Sequence, residues 1–278
     1  MKIVKHSGDI VEYNRDKLKH SLLKSGASEA VVEEVLQTID RQLHEGITTK
    51  SIYKLAFGLL KKSSKSHAAR YNLRAAIQML GPAGFFFEKF IARLFMSENY
   101  LVHTNLFLQG TCITHEVDIA ISKNDYVEMV ECKFHSSQDA VSDVKVPMYI
   151  LSRFNDLKNN THDIFTRKDK IANCWIVTNN RFSSEAIAFA TCSGLKLLSW
   201  NYPEKTSLRK RIDSSHLYPI TSLTTLTLAE KDKLLVLDVI LVFEIINNGE
   251  VLHKIGLSPH RIKNVMKEAS ELCKYMKL

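Results

Sequence analysis

Residues 115–134, HEVDIAISKNDYVEMVECKF, contain two apolar segments in which apolar and other residues alternate as they do in β-strands. The first segment carries Asp118, and the second, residues 126–134, carries Glu131 and Lys133. Both faces of the second segment are largely apolar, which predicts a central strand covered on two sides. Charge in such a strand is costly unless it is paired or bound to a metal, so these three side chains mark a candidate site.

An aspartate and a glutamate on neighbouring strands can share a divalent cation, and a two-residue spacing places Lys133 on the same face as Glu131. Mg²⁺ binds through one or two carboxylates and keeps several waters, so this sparse acidic pair suits phosphodiester hydrolysis better than a closed structural site. The lysine would orient or help to deprotonate the attacking water, or stabilise charge on the phosphate. The alternative is a buried ion network without activity, and the strand pattern alone leaves both interpretations open.

The order of these charged residues resembles a known nuclease motif. Asp118 followed by Glu131, Cys132 and Lys133 resembles the D…ExK core of the PD-(D/E)xK superfamily, in its Mrr-type restriction endonuclease branch. The neighbouring matches are, in chain order, GFFFEKF at 84–90, HEVD at 115–118, WIVT at 175–178 and SEA at 184–186. Because these matches occur together and in order, they are more specific than ExK alone. The resemblance implies an α/β fold, a restriction-endonuclease-like mixed sheet flanked by helices.

The same resemblance implies a metal-dependent endonuclease that acts on double-stranded DNA, with Mg²⁺ or alternatively Mn²⁺ as its cofactor. Asp118 and Glu131 would hold the metal together with the carbonyl of Cys132. Lys133 would position the water or the scissile phosphate. Glu88 borders the apolar stripe of its predicted helix, and the resemblance makes it an auxiliary acid of the site. A carboxylate at the edge of a helix, paired with a nearby lysine or arginine, is the alternative for Glu88.

Two later segments complete the predicted nuclease core. Residues 143–157 have apolar positions at helical spacing, and Lys145 and Arg153 on this helix are candidate phosphate contacts. Residues 174–200 have a strand, helix and strand pattern, which predicts a parallel pair joined by a right-handed crossover.

The first 82 residues predict a short hairpin followed by helices, the fourth of them from about Ser66 to Leu80. This order resembles the ATP-cone, a regulatory nucleotide-binding domain at the N-terminus of ribonucleotide reductases. The resemblance implies ATP or dATP as an allosteric effector. It assigns nucleotide binding to Lys5, Gly8, Asn14, Lys17, Thr49 and Arg70. The alternative is a helical dimerisation or DNA-binding module with a solvated basic face. The sequence contains no GxxxxGK[ST] loop, so a bound nucleotide would be an effector and not a fuel.

Residues 81–84, Gly-Pro-Ala-Gly, break the helical pattern and mark the end of the ATP-cone, which would comprise residues 1–82. A nuclease domain is predicted at 83–205 and a helical C-terminal domain at 206–278. Within the latter, the apolar run at 234–246 predicts a buried helix.

Composition narrows the class of protein. The 278 residues are 45% hydrophobic and 24% charged, as in soluble globular proteins. Five cysteines without a CxxC pair, and a first segment without the apolar region of a signal peptide, predict a reduced, cytoplasmic protein without a membrane segment. Residues 1–80 carry 14 Lys and Arg against 8 Asp and Glu, whereas residues 81–205 carry 13 against 14. Attraction to a polyanion must therefore come largely from the segments that flank the nuclease domain.

Together these observations predict a DNA endonuclease of a prokaryotic restriction or defence system, controlled by a nucleotide. Because cutting both strands needs two active sites, a homodimer or higher homo-oligomer is expected. A repair or branched-DNA nuclease is one alternative, since substrate choice depends on loops and surface shape. A catalytically inactive, nucleotide-responsive DNA-binding protein is the other.

Overall fold

The protein, as a computed structural model, is described over residues 1–5, 7–81, 83–165 and 168–274. It folds into two compact units. One of them, the sheet unit, comprises Ile77–Leu217; the other, the helical unit, joins Met1–Ala76 to the segment that begins at Tyr218. The predicted division into three domains stays a prediction; Pro82 at its first boundary and residues 275–278 at its end lie outside the described residues.

The first part of the helical unit is a hairpin followed by helices. Its elements are β1 (Lys2–Val4), β2 (Ile10–Glu12), α1 (Arg15–Leu23), α2 (Glu29–Asp40), α3 (Thr49–Ser63), α4 (Lys65–Tyr71) and α5 (Leu73–Gln78). Asn14, Ser28 and Thr48 each accept a backbone N–H bond as the N-cap of a helix. The single fourth helix predicted from Ser66 is wrong, because the chain breaks at Asn72 into α4 and α5.

The sheet unit alternates helices and strands. Its helices are α6 (Phe85–Ser97), α7 (Lys145–Leu157), α8 (Ser184–Cys192) and α9 (Leu208–Ser215). Its strands are β3 (Leu101–Gln109), β4 (Thr114–Lys123), β5 (Tyr126–Lys133), β6 (Val141–Ser142), β7 (His162–Asp163), β8 (Lys168–Asp169), β9 (Ile171–Thr178), β10 (Arg181–Phe182) and β11 (Lys196–Leu198).

Five of these strands form one mixed sheet in the order β11-β9-β5-β4-β3. Strands β3, β4 and β5 are antiparallel, while β9 and β11 run parallel to β5. The predicted parallel pair is confirmed as β9 and β11, joined through α8. The predicted mixed α/β sheet with flanking helices is therefore confirmed, and its assignment to the restriction-endonuclease fold stays a prediction.

Helices cover both faces of this sheet. On β9, the ring of Trp175 lies 5.7 Å from that of Phe95 in α6. The adjacent residues Cys174 and Ile176 belong instead to a core cluster with Ile150 of α7. Since neighbouring residues of a strand point to opposite faces, α6 lies on one face and α7 on the other. The central strand β5 is thus covered on two sides, as its apolar pattern predicts.

The chain then returns to the helical unit. The remaining helices are α10 (Leu228–Val236), α11 (Val242–Asn247), α12 (Glu250–Lys254) and α13 (Pro259–Leu272). The single buried helix predicted at 234–246 is wrong: α10 ends at Val236, and Asp238 takes a left-handed conformation with φ of 61° that no helix can continue through. Within the described residues, no helix is both long and apolar enough to cross a membrane.

The carboxylate of Asp156 in α7 binds the β3–β4 turn, and these hydrogen bonds are called here the clamp on Asp156. The carboxylate accepts bonds from the backbone N–H of Cys112 at 2.8 Å and of Ile113 at 3.3 Å, and from His115 Nε2 at 2.8 Å. These donors, with His115 the strongest, lower the pKa of Asp156 to about 2. The backbone of Gly110 passes so close that an added Cβ would overlap this carboxylate and lie 2.7 Å from the Ile113 carbonyl oxygen.

We expect Gly110→Ala to destabilise the sheet unit by about 1–3 kcal/mol, because the new methyl group must push the Asp156 carboxylate or the turn aside. Unfolding in urea, followed by tryptophan fluorescence, measures the change, since both tryptophans lie in this unit. Gly58→Ala, in α3 of the helical unit, is a control for the added methyl group itself: its Cβ would meet nothing within 4 Å, so alanine there should not lower stability. Equal transitions for Gly110→Ala and the wild type would contradict this account of the turn.

Candidate active site

The predicted acidic pair lies where β4 separates from β5. Pairing between these strands ends with Ile119 opposite Val130, so Asp118 and Glu131 occupy the next opposed positions. There Asp118 Oδ2 accepts a 2.7 Å hydrogen bond from the backbone N–H of Cys132. A side-chain carboxylate thus replaces the backbone carbonyl that would have continued the sheet.

Strand β4 is irregular at the same point. Its pairing with β3 is interrupted at Asp118 and at the facing Asn105, whose φ is 56°. Val117 and Ala120 belong to the same core cluster although they are three residues apart. Strict alternation would put these two residues on opposite faces, so the strand twists between them. This irregularity lets Asp118 turn toward β5.

Glu131 is buried, and only one of its two carboxylate oxygens has a partner among the described residues. Its Oε2 forms a 2.5 Å ion pair with Arg153 Nη1 of α7. Its Oε1 is buried and has no hydrogen-bond partner among the described residues. Burial, together with the negative charge of Asp118, raises the pKa of Glu131 to about 8 against the opposing effect of Arg153. A proton or a bound cation on this oxygen would complete its surroundings.

Glu88 of α6 approaches the same acidic cluster. Its Oε1 would lie 3.5 Å from a Cβ on Gly84, the residue before the helix, which has a φ of 90°. Burial, then the charges of Asp118 and Glu116, raise the pKa of Glu88 to about 7. Burial also raises the pKa of Asp118, although the Cys132 N–H opposes this. The charges of Asp118 and Glu116 thus act on Glu88, and within the described residues Glu88 forms no ion pair with a lysine or arginine.

Lys133 ends β5 two residues after Glu131, so the two side chains leave the same face. Lys133 is exposed and makes no hydrogen bond or ion pair within the part of the chain that the structure describes. Phe134, the next residue, packs against Phe87 of α6 with ring centroids 5.7 Å apart, and its ring covers Gly81. This packing fixes the strand end, while the lysine head stays available to a ligand.

The oxygen ligands that this cluster offers suit a hard divalent cation that keeps most of its bound waters. Asp118 and Glu131 supply carboxylates, and the orphaned Oε1 of Glu131 is the oxygen that such a cation would satisfy. Burial raises the pKa of the Cys132 thiol well above its usual range, so its carbonyl and not its sulfur would be the ligand. Among the described residues, no three His, Cys, Asp or Glu side chains converge as a metal site. The predicted centre needs only two such side chains.

Arg153, a candidate phosphate contact in the sequence, is paired inside the protein. Instead of being open to phosphate, its guanidinium pairs with Glu131 and also donates from Nη2 to the Glu116 carbonyl. Arg153 lies one helical turn before Asp156, and the clamp on Asp156 holds that turn of α7 against β4. No short-range signal links Arg153 to Glu131, because only the packing of α7 on the sheet brings them together.

The residues predicted to bind a nucleotide lie on several elements of the helical unit, and their role in binding stays a prediction. Lys5 and Gly8 form the exposed hairpin turn, where the Gly8 N–H donates to the Lys5 carbonyl at 3.0 Å. Asn14 caps α1 by accepting from the backbone N–H of Lys17. Thr49 is the first residue of α3. Arg70 alone of the six lines the helical unit's cavity of about 580 Å³, and its Nη2 donates to the Leu272 carbonyl at 3.3 Å.

Comparison with known proteins places the chain in a family. Residues 218–273 match the family described as AF1548-like, C-terminal. An uncharacterised protein of Archaeoglobus fulgidus is 33% identical over 183 residues, which cover 66% of this chain and 99% of that protein. The crystal structure of AF1548, a protein of unknown function, is similar with a TM-score of 0.56 and 31% identity, over 68% of this chain and 98% of that one. The chain therefore belongs to the AF1548-like family.

A second solved structure is the MspJI restriction endonuclease in complex with a 27-mer oligonucleotide. Its TM-score is 0.31 and its identity 13%, over 48% of this chain and 29% of that chain. This likeness is too slight to carry an argument about function.

The raised carboxylate pKa values predict that the sheet unit loses stability as pH rises. Between about pH 5 and pH 8 the folded protein keeps a proton on Glu131 that the unfolded chain has released, so its free energy of unfolding falls with pH. Glu88 and Asp118 act in the same direction. The expected loss is on the order of a few kcal/mol. Urea unfolding in EDTA, at several pH values across this range, measures it.

Glu131→Gln is the informative variant, because its side chain keeps the shape and cannot ionise. We expect its free energy of unfolding to change less with pH than that of the wild type. The loss of the Arg153 ion pair would lower stability by a similar amount at each pH and so would not alter this slope. A wild type and a Glu131→Gln protein with the same pH slope would show that the cluster does not hold a proton on Glu131.

Proposed function

We propose that this protein is a metal-dependent endodeoxyribonuclease whose centre is the acidic cluster at the end of β4 and β5. The observation that carries the proposal is the meeting of Asp118 and Glu131, with one buried carboxylate oxygen unpartnered, beside the exposed Lys133. Two carboxylates and one lysine are the groups that hydrolysis of a phosphodiester requires of a sparse metal site.

Each side chain has a role in this proposal. Asp118, Glu131 and the Cys132 carbonyl would hold Mg²⁺ or Mn²⁺, and the bound ion would polarise the phosphate and acidify water. Arg153 would remain on Oε2 of Glu131 and hold the other oxygen toward the metal. Lys133 would orient the attacking water or stabilise the negative charge that grows on the phosphate. Glu88, with a pKa near 7, is suited to exchange a proton at neutral pH.

The physiological setting belongs to the same proposal. A restriction or defence nuclease of a prokaryote follows from the resemblance of the motifs around Asp118 and Glu131. A homodimer would supply the second centre that cutting both strands requires. A repair or branched-DNA nuclease would use the same centre, and an inactive nucleotide-responsive DNA-binding protein would keep the fold without the chemistry.

We expect the wild type to cleave plasmid DNA when Mg²⁺ or Mn²⁺ is added and not in EDTA. Asp118→Asn and Lys133→Ala should each reduce the cleavage rate at least about a hundredfold, since each removes a group that acts on the reacting phosphate. Agarose gels of supercoiled plasmid over time give the rate. Asp163→Asn and Lys170→Ala are matched controls, because both residues are exposed on the sheet unit away from the cluster.

The same assay separates the alternatives when methylated, unmethylated and branched DNA are compared. Cleavage of branched DNA alone would favour a repair enzyme. Wild-type protein that binds each DNA and cleaves none with either metal would favour the inactive binding protein and refute the nuclease.

Nucleotide control is the second part of the proposal, and it rests on the resemblance of residues 1–82 to the ATP-cone. We expect calorimetry to detect binding of ATP or dATP that Lys5→Ala weakens about tenfold, the cost of losing one charge-assisted hydrogen bond. Lys24→Ala, another exposed lysine of the helical unit, is the control. If neither nucleotide binds the wild type, the effector role falls, whereas the nuclease proposal is unaffected.

A further inference from the structure

The helical unit contains a second polar surface that the proposed chemistry does not use. A cavity of about 580 Å³ lies between the end of α3, α4 and α13, and a cavity of about 250 Å³ shares Lys61, Lys65 and Asn264 with it. Because they share these lining residues, the two cavities form one continuous groove, called here the basic groove. All of its lining residues belong to the helical unit.

Cations outnumber acids in the basic groove. Among the described residues that line it, seven cationic side chains face two carboxylates, those of Glu268 and Glu271. Glu268 is buried and already accepts the backbone N–H bonds of Thr224 and Thr225, at 2.7 and 2.9 Å. The exposed cations that form no ion pair within the described residues are Lys61, Lys62, Lys65, Lys267 and Lys274, and of these Lys61 donates a hydrogen bond to the Thr224 carbonyl. The groove therefore has an excess of positive charge that the fold does not neutralise.

The groove also contains polar atoms that lack partners. His67 Nδ1, Arg70 Nε, Thr224 Oγ1 and Thr225 Oγ1 are buried and have no hydrogen-bond partner among the described residues. All four side chains line the basic groove. Buried polar atoms are normally satisfied, so four unsatisfied ones beside a cluster of lysines indicate a missing ligand rich in hydrogen-bonding oxygen atoms.

The lining chemistry favours phosphate over a nucleoside. Serines, lysines and an arginine supply hydroxyl and cationic donors for phosphate oxygens. No phenylalanine, tyrosine or tryptophan is among the described residues that line the groove, so a base would have no ring to stack on. A ligand bound here would be held by its phosphates and not by its bases.

The length of the groove favours a polymer over a single nucleotide. Its polar residues recur along α13 at intervals of three or four, from Arg261 through Asn264 and Lys267 to Glu271. Ten residues at a rise of 1.5 Å give roughly 15 Å. Successive phosphates of one strand are separated by about twice their axial rise of 3.4 Å, because they also rotate around the helix axis, so that length matches roughly two or three successive phosphates. A triphosphate would fill only part of it.

We propose that the basic groove binds the phosphodiester backbone of DNA without reading its bases, as an accessory contact outside the nuclease centre. The proposal rests on DNA being the substrate. It also accounts for the distribution of charge: the helical unit carries most of the excess of basic residues, because residues 1–80 hold 14 Lys and Arg against 8 Asp and Glu.

Salt-dependent binding of a labelled DNA duplex, followed by fluorescence anisotropy in EDTA, tests the groove without any cleavage. The groove variant combines Lys62→Gln, Lys65→Gln and Lys267→Gln. The control variant combines Lys24→Gln, Lys50→Gln and Lys263→Gln, three exposed lysines of the same unit that do not line the groove. Both variants lose the same total charge, so a general electrostatic effect would weaken both equally.

We expect the groove variant to bind about tenfold more weakly than the control variant at low salt. Its slope of log affinity against log salt should fall by about 0.9 for each phosphate contact removed. A third variant with arginine at all three groove positions should restore the slope, which separates loss of charge from loss of fold. Because the duplex is bound in EDTA and is not cleaved, a failed nuclease assay leaves this result intact.

Three outcomes would overturn the inference. The groove and control variants could have equal affinities and slopes. The wild type could fail to bind the duplex at low salt. Alternatively, the groove variant could lose calorimetric binding of ATP while its DNA slope is unchanged, in which case the groove is a nucleotide site and not a backbone contact.

Discussion

The hydrogen bond from the Cys132 N–H to the Asp118 carboxylate is the contact on which the acidic cluster depends. A backbone N–H at the end of a sheet ladder is costly to bury without an acceptor. By supplying that acceptor from a side chain, β4 can leave β5 while the last donor stays satisfied. The same bond brings a carboxylate beside Glu131. Burial raises the pKa values of both acids, and the charge of Asp118 raises the pKa of Glu131 further. Arg153, held on α7, offsets part of that cost.

Short-range sequence patterns determine many of the strands and helix ends, which explains why the sequence predicts them. Alternating apolar residues define β4 and β5, and capping residues such as Ser28 and Thr48 define where helices begin. Asp118 lies opposite Glu131 because the two-residue turn at Asn124 and Asp125 fixes the register between β4 and β5. The parallel pair β9 and β11 follows from the strand, helix and strand order.

The rest depends on packing between distant segments. Nothing in the pattern around Arg153 indicates that α7 will carry it to Glu131, or that His115 and Asp156 will join to hold that helix. The break in the apolar run at 234–246 depends on one residue, Asp238, adopting a left-handed conformation. In the N-terminal segment, the resemblance assigns six residues to one nucleotide site. In the structure, Lys5 and Gly8 lie in the hairpin, Asn14, Lys17 and Thr49 lie at the starts of helices, and Arg70 lines the basic groove.

The ion pair of Arg153 with Glu131 has a consequence for how the sheet unit folds. A carboxylate pair whose charge could be balanced only by an added ion would make folding dependent on the supply of that ion. Here the chain supplies its own counter-charge from a neighbouring helix, so the sheet unit can close over Glu131 without an added ion.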